Sequence, residues 1–247
     1  MTPAGTRPRR KISVGQRLLG GIGEIFITLG IVLLLFVAWE LWWTNIDANR
    51  TQGEVTAQFA QQLEVGSSTG DDEDFGPAPI AKIPDGETFG IFYIPRFGKD
   101  FAHPVTNGVG MDVLNSVGIG HYPDTQAPGE LGNFAVAAHR QTHGQVFWDI
   151  DKFKEGDEIY LQTNEGFYTY QWRSTEIVDP SQGEVLLPVP HQPGAEPSTS
   201  ILTMTSCHPP FTTRMRIIAY SELVSWRPAS AGPPAAIAEL VAKTMKN

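Results

Sequence analysis

The sequence has one cysteine, Cys207, among 247 residues. An intramolecular disulfide is therefore excluded, and a lone thiol cannot supply the usual structural zinc set. Basic residues are also scarce: 18 Lys and Arg stand against 27 Asp and Glu, a formal net charge of -9. That balance argues against nucleic acid as the main partner, because phosphate binding needs a basic footprint. Helical apolar stripes are missing between residues 89 and 226, apart from a turn or two around 111–117. No internal repeat is visible. Apolar residues are not in short supply. With 41% hydrophobic and 18% charged residues, the chain can bury a core and is neither wholly disordered nor collagen-like.

Acid is absent from residues 1–23, which carry Arg7, Arg9, Arg10, Lys11 and Arg17. A long apolar run follows over residues 18–43, with Glu24 and Glu40 near its ends as its only charges. About 20 helical residues span a bilayer core, and a carboxylate is tolerated near the interface. Trp39, Trp42 and Trp43 stand where an interfacial aromatic belt belongs. A cleaved signal peptide has an apolar region of only about 7–15 residues and small residues at its cut site. This run is longer and ends in W-E-L-W-W-T, so a retained anchor is expected. The basic flank puts residues 1–17 in the cytoplasm, the span at 18–43, and everything later outside the cell membrane. An idle thiol is a liability in such a compartment.

Residues 44–87 read as an extracytoplasmic linker, with a polar helix expected within 49–63. Its stretch 66–76 is rich in Gly, Ser and acid, which favours solvation over packing. From residue 88 the texture changes to short alternating runs. Strands are expected at 90–95, 133–138, 158–163, 167–172, 175–178, 200–205 and 216–223, with a hairpin turn at Asn164-Glu165-Gly166. Closely spaced turn residues make residues 88–226 a mostly β sandwich or barrel. The breaker R-P-A-S-A-G-P-P then opens a tail, 227–247, with a short Ala-rich helix at 235–246.

The chemistry centres on Cys207, in I-L-T-M-T-S-C-H-P-P-F. A Thr-rich strand runs into it, and His208-Pro209-Pro210 ends that strand. A thiol there is either a small buried hydrophobe or a nucleophile at a loop-lined surface. A nucleophilic cysteine needs a base, or an imidazolium to stabilise its thiolate. His208 is poorly placed, because adjacent strand residues point to opposite faces. His139 ends its own buried-looking strand as Cys207 does, while His121 and His143 lie among turn-formers. Acyl transfer also needs donors for a developing oxyanion. Arg216 and Arg214 share one strand parity, so periodicity does not separate them.

The block G-H-Y-P-D-T-Q-A-P-G-E-L-G-N-F-A-V-A-A-H-R at 120–140, T-M-T-S-C at 203–207, C-H-P-P-F at 207–211 and an arginine nine positions after the cysteine together resemble the sortases. These are membrane-anchored cysteine transpeptidases of Gram-positive bacteria, and the chain looks most similar to class E of the actinobacteria. The resemblance implies a closed eight-stranded sortase-type β-barrel with short helices, preceded by one transmembrane helix. It makes His139, Cys207 and Arg216 the catalytic residues. It implies cleavage of a C-terminal LPXTG- or LAXTG-type sorting signal between Thr and Gly, through a thioacyl-enzyme. Transfer would go to an amine of the cell-wall precursor or, in pilin-polymerising classes, to a pilin lysine. The partners would be surface proteins bearing the signal, the catalytic domain a monomer, and neither metal nor organic cofactor is implied. Tyr122 is a candidate for reading the second signal position. The family usually has T-L-x-T-C where this chain has Met204 and Ser206, so Thr205 and Ser206 are expected beside an altered substrate groove. The aspartate–proline–aromatic lid of some classes is not matched by Asp74-Phe75. Two other cysteine enzymes fit poorly: an L,D-transpeptidase carries S-H-G-C, and a papain-like peptidase places its cysteine before its histidine. A non-catalytic cell-wall binding domain remains the alternative outside enzymology.

Overall fold

Alternating apolar residues along the second half of the chain can be buried only if each strand finds neighbours on both sides. The computed structural model, which describes residues 14–66 and 75–246, meets this demand by closing the sheet. Its strands are β1 (Thr88–Tyr93), β2 (Ala102–Asn107), β3 (Ile119–His121), β4 (Gly132–Ala137), β5 (Glu158–Gln162), β6 (Gly166–Val178), β7 (Ser200–His208) and β8 (Met215–Pro228). They form a closed barrel in the order β1-β2-β3-β4-β7-β8-β6-β5. The pairs β2–β3 and β4–β7 are parallel, and the other pairs are antiparallel. A parallel pair requires a crossover. The first is made by the short helix α2 (Met111–Ser116), and the second by the whole β5–β6 excursion.

The interior is aromatic. Phe92 and Phe134 stack with centroids 6.2 Å apart, and Phe89 meets Phe134 edge-on. Leu202 and Met204 from β7, and Ile217 and Ala219 from β8, complete this core. The outer face of β1 is covered as well. Ile91 and Tyr93 pack with Phe59, Ala60 and Leu63, and with Ile237 and Val241 around helix α3 (Ala238–Thr244). This double burial explains why residues 90–94 are an unbroken apolar run rather than an alternating one.

Three sequence expectations change. β2 and β3 escape pattern reading, because β2 contains Pro104, which lacks a ladder donor, and β3 has only three residues. The segments 167–172 and 175–178 are one strand, β6, whose alternation is broken by a register shift between Trp172 and Ser174. The expected polar helix at 49–63 exists as the end of a 47-residue helix, α1 (Val14–Ala60). Its last turns are not a free tether, because they bury Phe59 and Ala60 against the barrel. Only Phe59, Ala60 and Leu63 betray the contact in a polar stretch. Further on, Ala81 donates its N–H to the Pro128 carbonyl at 2.9 Å. The acidic cluster 71–74 lies outside the described residues, as do the basic residues 7–11.

The chain divides into two units, residues 1–43 and 44–247. In the first, α1 exposes Leu33, Leu34, Leu35 and Phe36, and one of its windows reaches a mean hydropathy of 2.4. It is long and apolar enough to cross a membrane.

Two histidines belong to the barrel's packing. His103 and His121 are held neutral, since burial lowers each imidazole to about 4. His121 lies against Phe89 and Phe134, with Nδ1 2.9 Å from Asn107 Oδ1. Between pH about 6.5 and 4 the unfolded chain takes up protons that the folded barrel excludes, so stability falls as pH drops through that window. The expected outcome is that the unfolding midpoint of His121→Gln declines less than that of the natural chain between pH 7 and 4, by thermal melts at matched ionic strength. Phe59 is 6% exposed. Phe59→Ala is expected to destabilise the barrel by about 3 kcal/mol, measured by denaturant unfolding; an unchanged midpoint would mean that this part of α1 does not pack.

Candidate active site

Three neighbouring strands bring distant residues to one end of the barrel. β4 and β7 run parallel, with Ala137 paired to Thr205. The Ala138 N–H continues this ladder to the Thr205 carbonyl at 3.3 Å, and Ser206 Oγ donates back to the Ala138 carbonyl at 2.8 Å. Two residues beyond the last pair on each strand come His139 and Cys207, so they lie level. On the other side of β7, Cys207 pairs directly with Arg216 of β8. Strands sit about 4.8 Å apart, and residues directly opposite share a face. The register therefore sets the backbones of His139, Cys207 and Arg216 in a row across three neighbouring strand ends. Cys207 is half-buried with a free thiol. Arg214 precedes β8 and is exposed, so of the two arginines Arg216 is the one paired with Cys207 across the sheet.

The opposite face has its own pair. Arg140 follows His139, and His208 follows Cys207; alternation turns both away from the row. Arg140 Nη1 donates to His208 Nδ1 at 2.8 Å and reaches the Cys207 carbonyl at 3.5 Å. Its side chain is 1% exposed and forms an ion pair with Asp151 at 2.7 Å. A guanidinium cannot discharge its cost of burial by deprotonating, so it must be paired. Here the pairing ties the chain behind the sulfur to the loop after His139. His208 thus faces away from the thiol, as strand parity predicts.

His139 is half-buried. Its Nε2 lies 2.8 Å from Oδ1 of Asn115 on α2 and donates to it. That bond leaves Nδ1 as the basic nitrogen of the neutral ring. Burial, and secondarily the His143 ring with its centroid 5.1 Å away, lower the His139 pKa below that of an ordinary histidine. Arg216 donates through Nη1 to the carbonyls of Thr213 and Met215, each at 3.0 Å, which fixes the guanidinium at the mouth of the β7–β8 loop.

Tyr122, just after β3, has its hydroxyl 3.1 Å from Thr205 Oγ1, and its N–H donates to the Ala135 carbonyl. Thr205 and Ser206 are both buried. The Thr205 hydroxyl faces Tyr122, whereas the Ser206 hydroxyl is used inside the protein to hold β7 to the end of β4. Of the remaining histidines, His191 pairs with Glu176 at 2.6 Å on the connection after β6. Sequence reasoning missed Asn115 and Arg140. Nothing local marks Asn115. Arg140 could have been found, because H-R and C-H are dipeptides whose second members must meet if their first members do. Among the described residues, no group of three His, Cys, Asp or Glu could hold a metal ion.

Comparison with known proteins points to one family. A sequence model for the sortase domain matches residues 92–224. Sortase SrtE1 of Streptomyces coelicolor is 36% identical over 223 residues, covering 87% of this chain and 60% of SrtE1. Sortase SrtE2 of the same organism is 33% identical over 228 residues, covering 87% of this chain and 86% of SrtE2. The crystal structure of Sortase E1 from Streptomyces coelicolor with a tripeptide in the active site superposes with a TM-score of 0.58 at 34% identity, covering 63% of this chain and 99% of that one. On the matched domain, the shared barrel and these relatives, the chain belongs to the sortase family of cysteine transpeptidases and is similar to the class E sortases of Streptomyces.

Proposed function

We propose that this chain is a membrane-anchored sortase that cleaves a C-terminal LPXTG- or LAXTG-type sorting signal between Thr and Gly and transfers the protein to an amine of the cell-wall precursor. The observation that carries this reading is the row itself: Cys207 is paired across the sheet with Arg216, and His139 lies level on the other side. The tripeptide in the active site of the Streptomyces coelicolor enzyme supports a peptide ligand for this chain. The apolar half of α1 supports a single-pass anchor, and the basic residues before it favour a cytoplasmic N-terminus.

The thiolate of Cys207 attacks the Thr carbonyl carbon, forming a C–S bond. Negative charge grows on the carbonyl oxygen, where the Arg216 guanidinium supplies donors from an adjacent strand. The C–N bond to Gly then breaks, and the leaving amine takes a proton from His139. The product is a thioester between Cys207 and the Thr carbonyl. An incoming amine attacks this thioester, gives a proton to His139, and expels the thiolate. A His139 pKa held below the ordinary range makes the imidazolium a stronger acid toward the leaving amine. Tyr122 reads the second position of the signal, with its hydroxyl steadied by Thr205. Ser206 acts indirectly, by fixing the end of β4.

The test is incubation of the detergent-solubilised full chain with LPXTG and LAXTG peptides plus glycine or diamine acceptors, with products read by mass spectrometry. Cys207→Ala is expected to lower cleavage by at least ~10³-fold with the fold retained. Turnover by that variant would refute the assignment. Arg216→Lys keeps the charge but loses the planar fork, and is expected to lower kcat/KM by about 10²-fold. Parity with the natural enzyme would remove Arg216 from the oxyanion site.

A further inference from the structure

The part of α1 beyond residue 44 carries polar side chains into the loop beside His139. Gln52 is 1% exposed, and its Nε2 donates to the His143 carbonyl at 3.0 Å. Asn45, seven residues earlier and so on the same helix face, accepts the Gly144 N–H on Oδ1 at 2.9 Å. Two glycines make room for this approach. A Cβ on Gly144 would lie 2.7 Å from Gln52 Nε2, and one on Gly118 would lie 3.1 Å from Gln52 Cδ.

The loop held this way is strained. His143, Gly144 and Gln145 have φ of 50°, 92° and 53°. Left-handed backbone at a non-glycine residue is costly and persists only where the surroundings over-determine it. Two of the bonds that over-determine it come from α1. The same loop bears directly on His139: the His143 ring lies 5.1 Å from the His139 ring, and the Phe147 N–H donates to the His139 carbonyl at 3.0 Å.

We propose that Gln52 is a positioning residue for His139: by holding the His143 carbonyl in a left-handed turn, it sets the loop against which the His139 imidazole rests. The inference rests on the role given to His139 above. It makes the polar end of α1 a working part of the site, because a bond from this helix keeps the acid–base residue in register with the sulfur.

The test uses the detergent-solubilised full chain with Gln52→Met, which keeps the side-chain length and removes the donor. Arg50→Ala, exposed on the same helix, is the control. Amide exchange across residues 141–147 is expected to accelerate roughly five- to tenfold in Gln52→Met, the worth of one hydrogen bond, with the barrel strands unchanged. kcat is expected to fall about tenfold with KM nearly unchanged, as for a misplaced catalytic group. Asn45→Ala removes the second bond to the loop and is expected to act in the same direction, which covers poor folding of the first variant. Faster exchange with unaltered kcat would reduce Gln52 to a structural residue and overturn the proposal. If the natural chain itself lacks transpeptidase activity, that failure belongs to the proposed function. The positioning of His139 is then decided by its ring resonance in NMR. That resonance should move in Gln52→Met and not in Arg50→Ala; an unmoved signal overturns the inference in either case.

Discussion

Everything at the functional end depends on the register of one strand. β7 is gripped on both sides, by β4 in parallel and by β8 in antiparallel. A slip of one residue would exchange Cys207 for Ser206 or His208 and would turn Leu202 and Met204 out of the core. Closure forbids that slip, because no edge is free to move. The aromatic interior pins the other end of the same strands. The position of the sulfur is thus a consequence of how Phe92, Phe134 and their neighbours fill the barrel.

Alternation gives the site two faces with opposite tasks. The outer face presents His139, Cys207 and Arg216. The inner one joins the buried Arg140 to the half-buried His208 and to the exposed carboxylate of Asp151. Such an ion pair is weak evidence for stability, but it is highly directional. Here it connects the backbone of the two segments that must stay level. Asn115 adds direction from a third segment by choosing which imidazole nitrogen is basic. The His139 ring is therefore set by α2 and the loop after β4 together, and its reduced basicity follows from burial first and from His143 second.

α1 changes character along its length. Its apolar portion is exposed among the described residues, and its polar portion ends in residues that belong to the barrel's packing. Glycines at 118 and 144 accept the polar portion closely. Removal of the polar portion through residue 60 would uncover Ile91 and Tyr93 and take away the Gln52 contact.

Much of this was legible in the chain alone. Unbroken apolar length marked the helix at 18–43, and short apolar or alternating runs bounded by turn residues located β1, β4, β5, β7 and β8, because such patterns are local. The lone thiol at a strand end, the family blocks around His139 and the arginine nine positions on nominated the site residues. What was not legible was whatever needed a partner from elsewhere. β2 is interrupted by Pro104 and β3 has only three residues, so neither carries a period, and both are fixed as strands by pairing with β1 and β4. The choice of Arg216 over Arg214 required the β7–β8 register, since parity treats them alike. Asn115, Arg140 and Gln52 meet the site across sequence separations that no local pattern encodes. Sequence by itself determined which residues could do the chemistry, because reactivity and strand preference are properties of the side chains and their neighbours. Tertiary structure alone decided which of them stand together, because strand pairing and closure bring into contact groups that the covalent chain keeps apart.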